Sequence, residues 1–120
     1  MSIETSNEPI IDAEEILEGI QAWVGIETPS HLGQEVNKLV DRVESQMESL
    51  GAAIERTPGK DDFGDILIAR TQWGHPPDTA GILVLSHLDT VHPLGTGQTT
   101  LRWRRDKDHV QGPGIYDMKA

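Results

Sequence analysis

The feature that most constrains the fold of this chain is an uninterrupted apolar run, GILVLS, at residues 81–86. Such a short run, with no polar residue to break it, is typical of a strand that is buried on both faces of a sheet. We therefore predict a central buried strand over these residues. Loops at the carboxyl end of such a strand are where α/β proteins place their functional sites.

Two stretches upstream of this run have helical periodicity. Asp12 and Glu15 form a capping arrangement, and apolar residues then recur at helical spacing over residues 13–24. A second apolar stripe extends from Val36 to Leu50 and indicates a long amphipathic helix. The charged residues of that helix are interpreted as its solvated face.

Shorter segments have the composition of strands. Residues 52–57 and 63–70 are predicted to form two of them, and the alternating segment 101–105 is predicted to pair with Val110 and its neighbours through a turn at residues 106–108. A pair of helices followed by strands with a buried central strand indicates an α/β fold, in which a sheet carries helices on its faces.

Composition excludes several classes of function. The net charge is −10, which argues against unspecific attraction to nucleic acid or to an anionic membrane surface. The sequence has neither an apolar run of the ~18 residues that span a bilayer nor a signal peptide at its amino terminus, so we expect a cytoplasmic protein. The chain has no cysteine, so any metal would have to be bound by His, Asp or Glu.

The first candidate for chemistry follows the predicted buried strand directly. His87 and Asp89 are two positions apart, and in an extended segment both side chains point to the same side. A carboxylate against one imidazole nitrogen fixes the tautomer and leaves the other nitrogen free to bind a metal. By itself, this pattern fits a hydrogen-bonded loop histidine equally well.

The second candidate lies at residues 112–120, GPGIYDMKA. Two glycines and a proline before Asp117 predict a tight turn that delivers one carboxylate to a fixed place. A carboxylate can bridge two divalent ions through its two oxygens. Taken alone, such a segment is more often a surface turn with a solvated aspartate.

Together, the apolar run leading into SHLDTVHP and the later GPGIYDMKA resemble a zinc-dependent family that includes aminoacylases, succinyl-diaminopimelate desuccinylases and glutamate carboxypeptidases. The resemblance implies that His87 is a ligand of one zinc ion and that Asp117 bridges two. It also implies that Asp89 is the active-site carboxylate that orients His87. In this family the peptide bond after the bridging aspartate is often cis, which predicts a cis bond between Asp117 and Met118.

The resemblance covers nearly the whole chain after a solvated tail at residues 1–11. It implies that residues 12–120 are the N-terminal part of a dizinc exopeptidase catalytic domain. The complete enzyme would bind two Zn²⁺ ions and hydrolyse an amide or peptide bond next to a free carboxylate, in a small peptide or an N-acyl amino acid. A glutamate base, further zinc ligands and a lid or dimerisation domain would follow Ala120, and a homodimer would need that domain.

On this interpretation we expect the 120-residue chain to be inactive alone and aggregation-prone or loosely folded. A second hypothesis is a non-catalytic short product that acts as a binding or interaction protein. A Glu-Glu segment after Ala120 in the parent polypeptide would favour the enzyme. Among the other histidines, His31, His75 and His109 are interpreted as structural or exposed, and His92 is given a positional role. Four basic residues could attract a substrate carboxylate, but basic residues on a short strand are more often a charged edge. They are Arg102, Arg104, Arg105 and Lys119.

Overall fold

The computed structural model describes residues 9–72 and 79–120. Most of the predicted tail and the loop that contains His75 lie outside these residues. The described residues form a mixed α/β domain with two α-helices and two separate two-stranded antiparallel sheets. In chain order the elements are α1 (Ala13–Val24), α2 (Gly33–Ser49), β1 (Ala53–Thr57), β2 (Ile66–Arg70), β3 (Arg104–Asp106) and β4 (His109–Gln111).

Both predicted helices are confirmed. α1 begins after Asp12, whose carboxylate accepts hydrogen bonds from the backbone N–H groups of Glu14 and Glu15 at 3.0 and 3.4 Å. This cap satisfies two donors that the first helical turn leaves unpaired. α2 ends before Gly51, which has a φ of 83° and closes the helix in the left-handed region.

The buried apolar residues of the described chain lie on the two helices. They are Val24, Val36, Leu39, Val40 and Val43. The stripe on α2 packs against the β1–β2 hairpin, in which Ala53 is opposite Arg70 and Thr57 is opposite Ile66. The burial of this stripe fixes α2 on the hairpin, as its amphipathic pattern predicts.

The second hairpin also forms where it was predicted. Arg104 of β3 is opposite Gln111 of β4, and Asp106 is opposite His109. Lys107 makes the intervening turn with a φ of 53°. Each strand has three residues, fewer than the five of the predicted segment 101–105.

The prediction of a central buried strand at residues 81–86 is wrong. These residues form no strand, and Ile82, Leu83, Val84 and Leu85 are 95, 79, 81 and 79% exposed. A strand buried in a sheet needs a hydrogen-bonded neighbour on each side. Within the described part of the chain, each strand pairs only with its own hairpin partner, so the single sheet with helices on its faces is absent.

Candidate metal site

His87 lies between two carboxylates, that of Asp89, two positions later in the chain, and that of Asp117, 30 positions later. Its Nδ1 atom is 3.2 Å from Oδ1 of Asp89 and 3.1 Å from the backbone oxygen of the same residue. Its Nε2 atom is 3.3 Å from Oδ1 of Asp117. The structure thus brings together all three residues that the sequence singled out. Each side chain remains partly open to solvent, with 45% of His87, 40% of Asp89 and 64% of Asp117 exposed.

Acceptor atoms lie beside both nitrogens of the imidazole. Nδ1 of His87 has two of them, at 3.1 and 3.2 Å, and Nε2 has one at 3.3 Å, so the contacts favour a neutral ring with its proton on Nδ1 and a lone pair on Nε2. That lone pair faces a carboxylate oxygen of Asp117. Two acceptors face each other favourably only when a proton or a cation lies between them.

The donor atoms fit a zinc ion. Zinc binds imidazole nitrogen and carboxylate oxygen at about 2.0–2.2 Å, and two such ligands in a tetrahedral shell are about 3.3–3.5 Å apart. Nε2 of His87 and Oδ1 of Asp117 have a separation of 3.3 Å. Over residues 9–72 and 79–120, no group of three or more His, Asp or Glu is arranged to hold a metal.

The segment that carries Asp89 is fixed by a turn near the end of α1. The hydroxyl of Thr28 donates to the backbone oxygen of Leu88 at 2.6 Å, and the N–H of Thr90 donates to the backbone oxygen of Thr28 at 2.7 Å. Pro29 and Thr90 form a parallel bridge. Thr28 and Thr90 are buried, so these bonds are shielded from competing water.

Ser30 is a site residue that the sequence analysis missed. Its hydroxyl donates to Oδ2 of Asp89 at 2.5 Å. The Thr-Pro-Ser stretch has the composition of a turn, but no local pattern relates it to a residue 59 positions later.

The turn that carries Asp117 is irregular. Gly114 and Met118 both lie in the left-handed region, with φ values of 76° and 71°, and the N–H of Lys119 donates to the backbone oxygen of Gly114 at 3.2 Å. The predicted cis bond between Asp117 and Met118 is wrong, because that bond is trans.

Lys119 is a second residue whose place the sequence did not indicate. Its side chain is buried, with 2% of the residue exposed, and its Nζ atom donates to the backbone oxygen of Ile26 at 2.9 Å. Burial lowers the pKa of the Lys119 ammonium to about 8, although the carboxylates of Glu27 and Asp89 act in the opposite direction. Lys119 thus connects the Asp117 turn to the end of α1.

Glu27 holds the loop that follows His92 and Pro93. Its carboxylate accepts hydrogen bonds from the N–H groups of Gly95 and Gly97 at 2.9 and 2.8 Å. Residues 26–30 therefore contact all three segments around the candidate site.

Arg105 pairs with a residue of α1 rather than with this cluster. The guanidinium of Arg105 forms a bidentate ion pair with the carboxylate of Glu14, with N–O distances of 2.7 and 2.8 Å. These hydrogen bonds lower the pKa of the Glu14 carboxyl. His31 and His109 are exposed.

The cluster can hold one cation between His87 and Asp117, with Asp89 orienting the ring from the opposite side. Among the described residues, no helix is long and apolar enough to cross a membrane. No protein-family model matches the chain, and a search of curated proteins finds no match.

Proposed function

We propose that this chain carries part of the metal centre of a zinc-dependent hydrolase that cleaves an amide or peptide bond next to a free carboxylate. One observation supports the proposal above all. Nε2 of His87 faces a carboxylate oxygen of Asp117 at 3.3 Å while Nδ1 of the same ring is occupied by Asp89. This is the division of roles that the resemblance to aminoacylases, desuccinylases and glutamate carboxypeptidases implies.

In this proposal His87 and Asp117 hold zinc, and Asp89 keeps the imidazole in the tautomer that leaves Nε2 free. Zinc, when bound, acts as a Lewis acid that polarises the scissile carbonyl and activates water for attack. The open solvent face of all three side chains leaves room for a substrate. The resemblance implies two zinc ions in the complete centre, with a glutamate base and further ligands besides the residues assigned here.

The finer fold assignment belongs to the same proposal. Residues 12–120 would be the N-terminal part of a dizinc exopeptidase catalytic domain, acting on a small peptide or an N-acyl amino acid in the cytoplasm. Neighbouring strands from the rest of that domain would cover the exposed apolar residues 82–85. A homodimer would form through a separate lid or dimerisation domain.

A second candidate is a non-catalytic binding or interaction protein. It is favoured by the same exposed residues, since a contiguous apolar surface marks sites of contact with other molecules. This candidate requires no zinc at His87.

Zinc affinity separates the two candidates. We would measure it by competition with a fluorescent chelator for the wild-type chain, for His87→Ala and for His109→Ala, which alters an exposed histidine of β4. The hydrolase proposal predicts that His87→Ala binds zinc at least ~10-fold more weakly and that His109→Ala binds it as wild type does. The loss of a residue that only supports a metal ligand costs ~10-fold or more in affinity, and the loss of the ligand itself should cost at least as much. Equal affinity in His87→Ala and wild type would contradict the proposal. If His87→Ala does weaken zinc binding, hydrolysis of N-acyl amino acids would be assayed next, with the polypeptide isolated from its natural source.

A further inference from the structure

We propose that Ser30 is a positioning residue of the candidate metal site, whose hydroxyl holds Asp89 so that the imidazole of His87 keeps its proton on Nδ1. The part of this inference that concerns zinc rests on the proposed function. The part that concerns the histidine ring does not require a metal.

The two carboxylate oxygens of Asp89 have different partners. Oδ2 accepts from the Ser30 hydroxyl at 2.5 Å, and Oδ1 lies 3.2 Å from Nδ1 of His87. The Ser30 hydroxyl also lies 3.0 Å from the backbone oxygen of Thr90, but it has one proton to donate. The shorter contact to a charged acceptor takes that proton, because charge-assisted hydrogen bonds are the stronger ones.

The backbone of Ser30 is anchored to the same segment that it orients. Its N–H donates to the backbone oxygen of Thr90 at 3.0 Å, and the N–H of Thr90 donates back to Thr28 at 2.7 Å. Ser30 therefore cannot move away from Asp89 without breaking this bridge. The backbone anchor keeps the Ser30 hydroxyl within hydrogen-bond reach of the carboxylate.

Without the hydroxyl, His87 is the one side-chain donor within reach of the Asp89 carboxylate among residues 9–72 and 79–120. The carboxylate is 40% exposed and could turn toward water. Nδ1 of His87 would then keep only the backbone oxygen of Asp89, at 3.1 Å. We therefore expect the loss of Ser30 to weaken the orientation of the ring without abolishing it.

The test compares Ser30→Ala, Ser30→Thr and the matched control Ser45→Ala, which alters an exposed serine of α2. Two quantities are measured in the 120-residue chain. One is the fraction of His87 that carries its proton on Nδ1 in the neutral, metal-free protein, from long-range ¹H–¹⁵N spectra of the ring. The other is the dissociation constant for Zn²⁺ alone.

We expect Ser30→Ala to lower the Nδ1–H fraction and to weaken zinc binding ~10-fold, the lower end of the range for a group that supports a metal ligand. Ser30→Thr keeps the hydroxyl and should retain wild-type values, as should Ser45→Ala. Ser30→Cys, which keeps a similar volume but is a weak donor, repeats the test should the alanine variant not fold.

Three results would overturn the inference. The first is an Nδ1–H fraction of His87 that is unchanged in Ser30→Ala. The second is a decrease of this fraction in Ser30→Thr that equals the decrease in Ser30→Ala. The third is the same decrease in Thr28→Val, which removes the hydrogen bond to Leu88 but leaves the Ser30 hydroxyl. A wild-type chain that binds no zinc would count against the proposed function only, because the tautomer of His87 would still decide the role of Ser30.

Discussion

Nε2 of His87 lies 3.3 Å from Oδ1 of Asp117, a residue 30 positions later in the chain. The two residues meet although the strand that was predicted to support His87 is absent from the structure. Their segments are held by residues 26–30 instead, through the backbone bridge to Thr90 and the buried Lys119. The candidate site thus depends on one turn rather than on a sheet.

Replacing Asp117 by Asn keeps the shape of the side chain and removes its negative charge. A neutral amide oxygen is a weaker zinc ligand than a carboxylate, so we expect zinc affinity to fall at least ~10-fold. The measurement is the same chelator competition, with Asp106→Asn on the exposed strand β3 as the control. Unchanged affinity in Asp117→Asn would remove this residue from the proposed ligand set.

Replacing Gly114 by Ala should destabilise the turn that carries Asp117. Gly114 has a φ of 76°, and an added Cβ would lie 2.7 Å from Cγ2 of Thr90. We expect the free energy of unfolding to fall by about 1–3 kcal/mol, from backbone strain together with steric overlap. Urea denaturation of Gly114→Ala and wild type measures this difference in the free energy of unfolding.

Gly19→Ala is the matched control for this prediction. Gly19 lies within α1 and has nothing within 4 Å of an added Cβ, so alanine there should stabilise the chain by about 0.5–1 kcal/mol. If Gly114→Ala unfolded at the same urea concentration as wild type, the described turn would be wrong.

Asp65 should make stability depend on pH. Hydrogen bonds from Arg56, at 2.8 Å, and from the N–H of Gly59 lower the pKa of its carboxyl below 3.8. Because the pKa of Asp65 is lower in the folded chain than in the unfolded chain, its ionised carboxylate stabilises the fold fully above pH 3.8. This stabilisation is lost as the pH falls through the pKa of Asp65 in the folded chain. Asp65→Asn should therefore be less stable than wild type at neutral pH, and the difference should vanish in strong acid.

The measurement is urea denaturation of both proteins across this pH range. Glu55→Gln is the control, because Glu55 pairs with Arg70 on the exposed face of the first hairpin. Exposed pairs of this kind contribute little to stability, so the control should show a smaller effect at neutral pH. A difference between Asp65→Asn and wild type that persisted in strong acid would contradict the role given to the Arg56 contact.

The exposed apolar run should make the isolated chain self-associate. Val84 lies within four consecutive apolar residues that are each at least 79% exposed. We expect Val84→Lys to reduce the binding of a hydrophobic dye and the concentration-dependent increase in light scattering. Val91→Lys is the control, because Val91 is 86% exposed but lies outside the run. Equal behaviour of the two variants would show that the run does not drive association.

Local signals account for the part of the fold that the sequence predicted. The cap at Asp12, the apolar stripe of α2 and the turn around Lys107 are each determined by residues close in sequence. The contact of His87 with Asp89 was predictable for the same reason, since the two are two positions apart.

Long-range contacts account for what the sequence did not predict. The apolar run was a reasonable candidate for a strand, but strand formation depends on partners that the run itself does not encode. The contacts of Ser30 with Asp89 and of Lys119 with Ile26 join residues 59 and 93 positions apart. The approach of Asp117 to His87 was expected only from the resemblance to the zinc-dependent hydrolases.

The most direct test of the central claim is the ¹⁵N spectrum of the His87 ring with and without one equivalent of Zn²⁺. We expect Nδ1 to keep its proton throughout and the resonance of Nε2 to shift on zinc addition in wild type, with a smaller shift in Asp117→Asn. An Nε2 resonance that does not respond to zinc, or a proton found on Nε2 of the neutral ring, would contradict it.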